Sequence, residues 1–298
     1  MSLADPLAGL PDAEVVWRHA GGAIDCRRGR LVGIVNATPD SFTDEGRHFG
    51  TGASVAHGRE LAAAGASIVE VGGESLRFSA PTPPGEEIRR VVPVIERLSA
   101  ELDVPVAVDT FKPAVARAAI AAGAVVLNDP TGLRDPAMAE AAAEGGVGVV
   151  LTHFFGEPKV RPASFPEVDV PDAVVEWGAR ALEAAAAAGI GRERVVIDPG
   201  VGLGKSPAQD LDLLHRIDEV RALGRPVFVP ISHKKVLGSV TGLAAADRLA
   251  PTTAGMVWCR IRGASVFRVH DVGFLRHALT AAEAMLAGDT PRWHFVIK

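Results

Sequence analysis

Eight apolar runs, each followed by a stretch with helical spacing, constrain this chain more than any single motif. They are LVGIVN (31–36), SIVEVGG (67–73), VPVAVDT (104–110), AVVLND (124–129), VGVVLTH (147–153), VVID (195–198), PVFVPIS (226–232) and ASVFRVH (264–270). Most lack the polar alternation of a strand with one wet face, so they read as parallel strands covered on both sides. Helices are predicted at about 53–65, 86–102, from Pro113 to Gly123, 135–145, 172–188, 207–223, 234–262 and 272–287. Eight strand–helix cycles without a break in composition predict an α/β fold, a single (β/α)8 TIM barrel over residues 31–298. Residues 1–30, with acids, arginines and glycines but little periodicity, predict a short N-terminal extension folded as a hairpin. An open doubly wound sheet would carry a Gly-rich phosphate fingerprint after its first strand; here the residues are NATPDSF.

Composition narrows the functional classes. Hydrophobic residues make up 48% and charged residues 22%, which is enough for a large soluble core. The net charge is −5 and no basic run stands out, so neither a nucleic-acid surface nor a polybasic membrane patch is expected. No basic segment followed by an apolar core opens the chain, and no stretch is apolar enough to span a bilayer. Cys26 and Cys259 sit in unrelated contexts without metal-ligand spacing, which reads as a reduced, cytoplasmic protein.

The strand ends carry the chemistry. In chain order they offer Asn36, Glu74 just past Gly72 and Gly73, Asp109, Asn128 with Asp129, His153, Asp198, Ser232 with Lys234, and Arg268 with His270. In a barrel these converge on one mouth, where barrel enzymes place their active sites. Asp198, followed by the turn PGVGLGK, also reads as a turn former or a helix cap; the repetition at other strand ends favours a site. Asp109, Asn128, Asp198 and Lys234 combine acceptors and donors as a buried heterocycle with amide and amino edges requires. Arg268 and His270 alternate on one strand and point to one side; with Asn36 they suit an anion such as phosphate, directly or through a metal. Taken singly, Arg268 reads equally as the partner of a structural carboxylate, and His270 as a satisfied core histidine.

Together these segments resemble dihydropteroate synthase. The resemblance rests on GIVNATPDSFTDEG (33–46), IVEVGGES (68–75), VAVDTFKPAVA (106–116), LNDPTG (127–132), DPGVGLGK (198–205), ISHKKVLG (231–238) and FRVHDV (267–272), in order and over nearly the whole chain. It implies a (β/α)8 barrel, a homodimer, and the condensation of 6-hydroxymethyl-7,8-dihydropterin pyrophosphate with p-aminobenzoate, releasing pyrophosphate. By resemblance Asp109, Asn128, Asp198 and Lys234 hold the pterin. Arg268 and His270 take the pyrophosphate, and Mg²⁺ is engaged through Asn36. Arg77 and Ser232 are implied as substrate-binding, Asp40 and Phe42 sit on the loop after the first strand, and Asp109, Asp198, Lys234 and Arg268 are the catalytic set.

The chain departs from the family pattern on the side of the second substrate. Where the family has Thr-Arg-Pro after GGES, this chain has Leu76-Arg77-Phe78. Leu203 stands for a phenylalanine in the Gly-rich turn, Ser232-His233-Lys234-Lys235 for Ser-Arg-Lys-Ser, and Thr152-His153-Phe154 for Met-His-Met. Leu76, Phe78, Leu203, His233 and Lys235 are therefore expected to set what the second substrate is. Two other readings stand beside the synthase: a divergent pterin-binding paralogue with weak or no synthase activity, and a pterin-binding methyltransferase domain. The methyltransferase needs no pyrophosphate cradle, which FRVHDV and Asn36 argue against.

Overall fold

The computed structural model describes residues 5–38, 50–75, 80–160 and 165–288. Helix α1 (Asp12–Val15) leads into an antiparallel hairpin, β1 (Val16–His19) and β2 (Gly22–Asp25). The barrel follows: β3 (Arg30–Asn36), α2 (Thr51–Ala63), β4 (Ile68–Gly72), α3 (Pro84–Glu101), β5 (Val106–Asp109), α4 (Pro113–Ala121), β6 (Val126–Asp129), α5 (Pro136–Gly145), β7 (Gly148–Thr152), α6 (Val170–Ala187) and β8 (Val195–Asp198). It ends with α7 (Pro207–His215), β9 (Phe228–Val229), α8 (Lys235–Thr241), α9 (Leu249–Ile261), β10 (Val266–Val269) and α10 (Val272–Ala287). The eight barrel strands run parallel in the order β8-β7-β6-β5-β4-β3-β10-β9. A parallel bridge between Ile197 and Val227, with the Ile197 N–H donating to the Pro226 carbonyl at 3.0 Å, brings the outer strands together.

The expected helices at 207–223 and 234–262 are both divided. Arg216 leaves helical geometry (φ −108°, ψ 29°), and a 3₁₀ segment, Ile217–Leu223, completes the first. In the second, Gly242 takes a left-handed φ of 73° that ends α8 as helix C-termini commonly do, and α9 restarts at Leu249. The remaining elements match expectation to within a few residues.

Two cores result from the burial of both sheet faces. The outer one lies between strands and helices; on α3, for example, Val91, Val94, Ile95 and Leu98 follow the helical period and are fully buried. The inner one takes one residue from each barrel strand: Val32, Ile68, Ala107, Val126, Val150, Val196, Phe228 and Val266. Trp17, Ile24 and Cys26 of the N-terminal segment complete it. The hairpin thus plugs the N-terminal end of the barrel. Trp17 is fully buried, and its indole N–H donates to the Arg194 carbonyl at 2.8 Å.

Candidate active site

Side chains on a strand alternate, so the residue two positions beyond an inner-core residue also points inward. On six of the eight strands that next residue is polar: Glu70, Asp109, Asn128, Thr152, Asp198 and Arg268. This polar layer sits above the apolar one, at the C-terminal ends where the strand-to-helix loops begin.

Four of these six residues form one connected network. Glu70, 1% exposed, accepts from the Arg268 Nε and, at 2.9 Å, from the Asn128 side-chain amide. Arg268 Nη2 donates to Asp109 at 2.7 Å. Because Asn128 donates to Glu70, its side-chain oxygen is the end left to accept from a ligand. Burial works against the Arg268 charge, and Glu70 and Asp109 more than offset it, raising its pKa. Burial, with the nearby Glu70 and Glu87, pushes the Asp109 carboxyl well above the ordinary carboxylate range despite Arg268. Arg268 is thus the ion-pair partner of carboxylates and a member of the mouth at the same time.

The remaining two, Asp198 and Thr152, stand beside the glycine turn. Asp198 ends β8, 4% exposed, and its Oδ1 accepts the Gly200 N–H at 2.7 Å, so it also shapes the turn. Its Oδ2 has a long contact with Thr152 Oγ at 3.4 Å. Burial pushes its pKa up to about 6, opposed by the Gly200 N–H, Lys234 and Lys205. Gly200 (φ 74°) admits no side chain, since a Cβ there would lie 1.8 Å from the His153 carbonyl oxygen. Lys234 Nζ donates to the Val201 carbonyl at 2.7 Å, and Lys205 Nζ to that of Gly200 at 3.0 Å. Burial lowers the pKa of both lysines, Lys205 to about 8.

The third group joins β9 and β10. His270 Nδ1 lies 2.8 Å from Ser232 Oγ, and the His233 and His270 rings are 5.7 Å apart. Asn36 stands at the end of β3, paired in register with Gly72.

Other expected residues fall elsewhere. Leu203 is half-buried in the glycine turn and Lys235 is exposed at the start of α8. Asp40, Phe42, Leu76, Arg77 and Phe78 lie outside the described residues. His153 is packed against Phe165 and Trp177, and burial lowers its pKa to about 3. Glu74 is taken up by neighbouring loops. It accepts from the Thr82 N–H at 2.6 Å, Lys159 at 3.0 Å and Lys112 at 2.5 Å, binding together the loops after β4, β5 and β7. Asp129 braces its own turn, accepting from the Thr131 N–H at 2.8 Å and the Leu133 N–H at 2.9 Å.

Residues 32–270 match the model of a family described as pterin binding enzyme. Over 268 residues the chain is 36% identical to dihydropteroate synthase of Escherichia coli, covering 90% of this chain and 95% of that one. The chain belongs to the dihydropteroate synthase family of pterin-binding enzymes. A probable bifunctional folylpolyglutamate synthase/dihydropteroate synthase of Haloferax volcanii is 45% identical over 243 residues, and the match spans 81% of this chain but only 29% of that protein. A Mycobacterium tuberculosis protein named inactive dihydropteroate synthase 2 is 40% identical over 258 residues, covering 85% of this chain and 81% of that one. Among solved structures, Xanthomonas albilineans dihydropteroate synthase with 4-aminobenzoic acid superposes with a TM-score of 0.85 at 42% identity, covering 92% of this chain and 99% of that one.

Proposed function

We propose that this chain works as a dihydropteroate synthase, joining 6-hydroxymethyl-7,8-dihydropterin pyrophosphate to p-aminobenzoate in folate biosynthesis. The observation that carries this reading is the polar layer, in which Asp109, Asn128 and Asp198 stand at the strand ends beside Arg268, with Lys234 reaching the glycine turn that follows Asp198. The Asn128 oxygen, Asp198 Oδ2 and Asp109 are acceptors for the amino and ring N–H groups of a pterin, and Lys234 is a donor for its carbonyl. Arg268, His270 and Ser232 face the pyrophosphate. In the reaction the methylene C–O bond breaks and its electron pair leaves with pyrophosphate, whose growing charge Arg268 stabilises. The amine lone pair forms the new C–N bond, and the amine proton leaves to solvent or to the departing anion. The buried Asp198 carboxylate favours the positive character of the pterin during this exchange.

Mg²⁺ is the metal this reading implies. Among the described residues no three His, Cys, Asp or Glu side chains gather as a metal site. Asn36 offers a single neutral oxygen, which suits an ion that keeps most of its waters and arrives on phosphate oxygens. Asn36 would hold it, and when bound it supplies positive charge to the leaving group.

The division into an N-terminal extension (1–30) and a barrel (31–298) remains part of this proposal. So does a homodimer, supported by an apolar groove between α7, α8 and α9 where Leu211, Val240 and Trp258 are exposed. A cytoplasmic location is supported by two unbridged, buried cysteines, Cys26 and Cys259. No helix of the described residues is long and apolar enough to cross a membrane.

A pterin-binding paralogue without synthase activity is the second reading. It is favoured by the clustering of departures at Leu76, Phe78, Leu203 and Lys235 and by the inactive relative. Calorimetric titration with pterin pyrophosphate, then with p-aminobenzoate in the presence of pyrophosphate and Mg²⁺, separates the two. Binding in both steps with formation of dihydropteroate is expected; pterin binding without turnover would support the paralogue.

A further inference from the structure

His233 stands where the resemblance places an arginine, in a turn between the pterin lysine Lys234 and the anion-site serine Ser232. Its backbone is left-handed, with φ 55°, a conformation histidine tolerates better than most residues. The position is held from both ends. The His233 N–H donates to Thr252 Oγ at 3.0 Å, and its carbonyl accepts from Arg248 Nη1 at 3.0 Å. The side chain is 11% exposed.

The two ring nitrogens decide its charge. Nδ1 lies 2.7 Å from the Ala245 carbonyl oxygen, and Nε2 lies 3.0 Å from Asp271 Oδ2. A carbonyl and a carboxylate only accept, so both ring nitrogens must donate. A neutral imidazole has one N–H and would turn a lone pair toward the other oxygen. Among the described residues, the charged and titratable groups contacting His233 are Asp271 and His270 at the start of α10 and Arg248 ahead of α9; Thr252, from α9, is neutral.

We propose that His233 is a positioning residue whose ring carries both protons in the native protein and so supplies a positive charge where the resemblance places an arginine. Resting on the reading of Arg268, His270 and Ser232 as the pyrophosphate site, this charge strengthens the hold on pyrophosphate. His233 also ties the segment after α8, through Ala245, to Asp271 beside the anion site.

Two measurements test this. Long-range ¹⁵N NMR of the histidine rings, with His233 assigned by its absence in His233→Arg, is expected to show both His233 nitrogens protonated at neutral pH. A neutral tautomer overturns the proposal whatever the protein's activity. Calorimetry with pyrophosphate and Mg²⁺ at neutral pH then compares the parent with His233→Arg, which keeps a positive charge, and His233→Gln, which removes it. His233→Arg is expected to bind as the parent does, and His233→Gln to lose roughly threefold to tenfold in affinity. Equal affinity in all three proteins would overturn the link to the anion site. Absence of binding in all three would instead overturn the anion-site reading, with the NMR result unaffected.

Discussion

At its N-terminal end the barrel turns one apolar side chain inward from each of eight strands, packed on Trp17, Ile24 and Cys26. Two residues further along, six of the same strands turn inward Glu70, Asp109, Asn128, Thr152, Asp198 and Arg268. One step along the strands thus separates a layer that gains stability by leaving water from one that loses it. Burial raises the pKa of Asp109 and Asp198 and lowers that of Lys234 and Lys205. In every case the charged form is the one disfavoured by desolvation. The lower layer holds the barrel together, and in the proposed function the upper layer is kept for the ligand.

The largest expected effect that sharpens this contrast is at the bottom. Trp17→Ala empties the plug under eight strands and leaves the Arg194 carbonyl without its donor, and should lower stability by about 3–5 kcal/mol. Pterin affinity of the folded fraction should stay unchanged. Denaturant unfolding and calorimetry on the same preparation check both halves. A parallel loss of pterin affinity would mean that the two ends are not separable.

At the top, Arg268→Ala should weaken pyrophosphate and pterin pyrophosphate by on the order of 2–5 kcal/mol, since it removes one partner of a buried charged set. Affinity for the unphosphorylated pterin alcohol should change little. Equal losses for all three ligands would make Arg268 purely the structural partner of Glu70 and Asp109.

The smallest effect concerns the second-substrate side. Leu203→Phe combined with Lys235→Ser restores the residues the family resemblance implies. Together they should lower KM for p-aminobenzoate by up to about tenfold, or about 1.4 kcal/mol, with the pterin KM unmoved. If steady-state kinetics show no change in either constant, these two positions do not limit the second substrate.

How much of this was legible in the sequence follows from the same contrast. Strands buried on both faces write themselves as apolar runs, so the barrel could be read directly, and polar residues ending those runs marked Asp109, Asn128, Asp198 and Arg268. Glu70 was missed because it lies inside a run, as the single acid of SIVEVGG; its signal is its inward alternation with Ile68 and Gly72. Glu74 comes just after the same run, and its partners Lys112 and Lys159 are distant in sequence. Arg268 meets Glu70 and Asp109 across 198 and 159 residues, pairings that no local pattern encodes. The plug was equally hidden, because a short hairpin without periodicity gives no sign that Trp17 enters a barrel.

The most direct test of the contrast is the pH dependence of stability in Asp198→Asn beside the parent. The Asp198 carboxyl titrates at about 6 when folded against an ordinary value of 3.8. A raised folded pKa means stability that is fully present below 3.8 and lost as pH climbs through 6, a loss of about 3 kcal/mol for this shift. Asparagine does not titrate and escapes the loss. Guanidinium unfolding should therefore find the variant more stable than the parent by up to about 3 kcal/mol above pH 7, with the gap closing toward pH 4. A variant less stable than the parent above pH 7 would show that the Asp198 charge supports the fold, and that the upper layer is not held at the expense of stability.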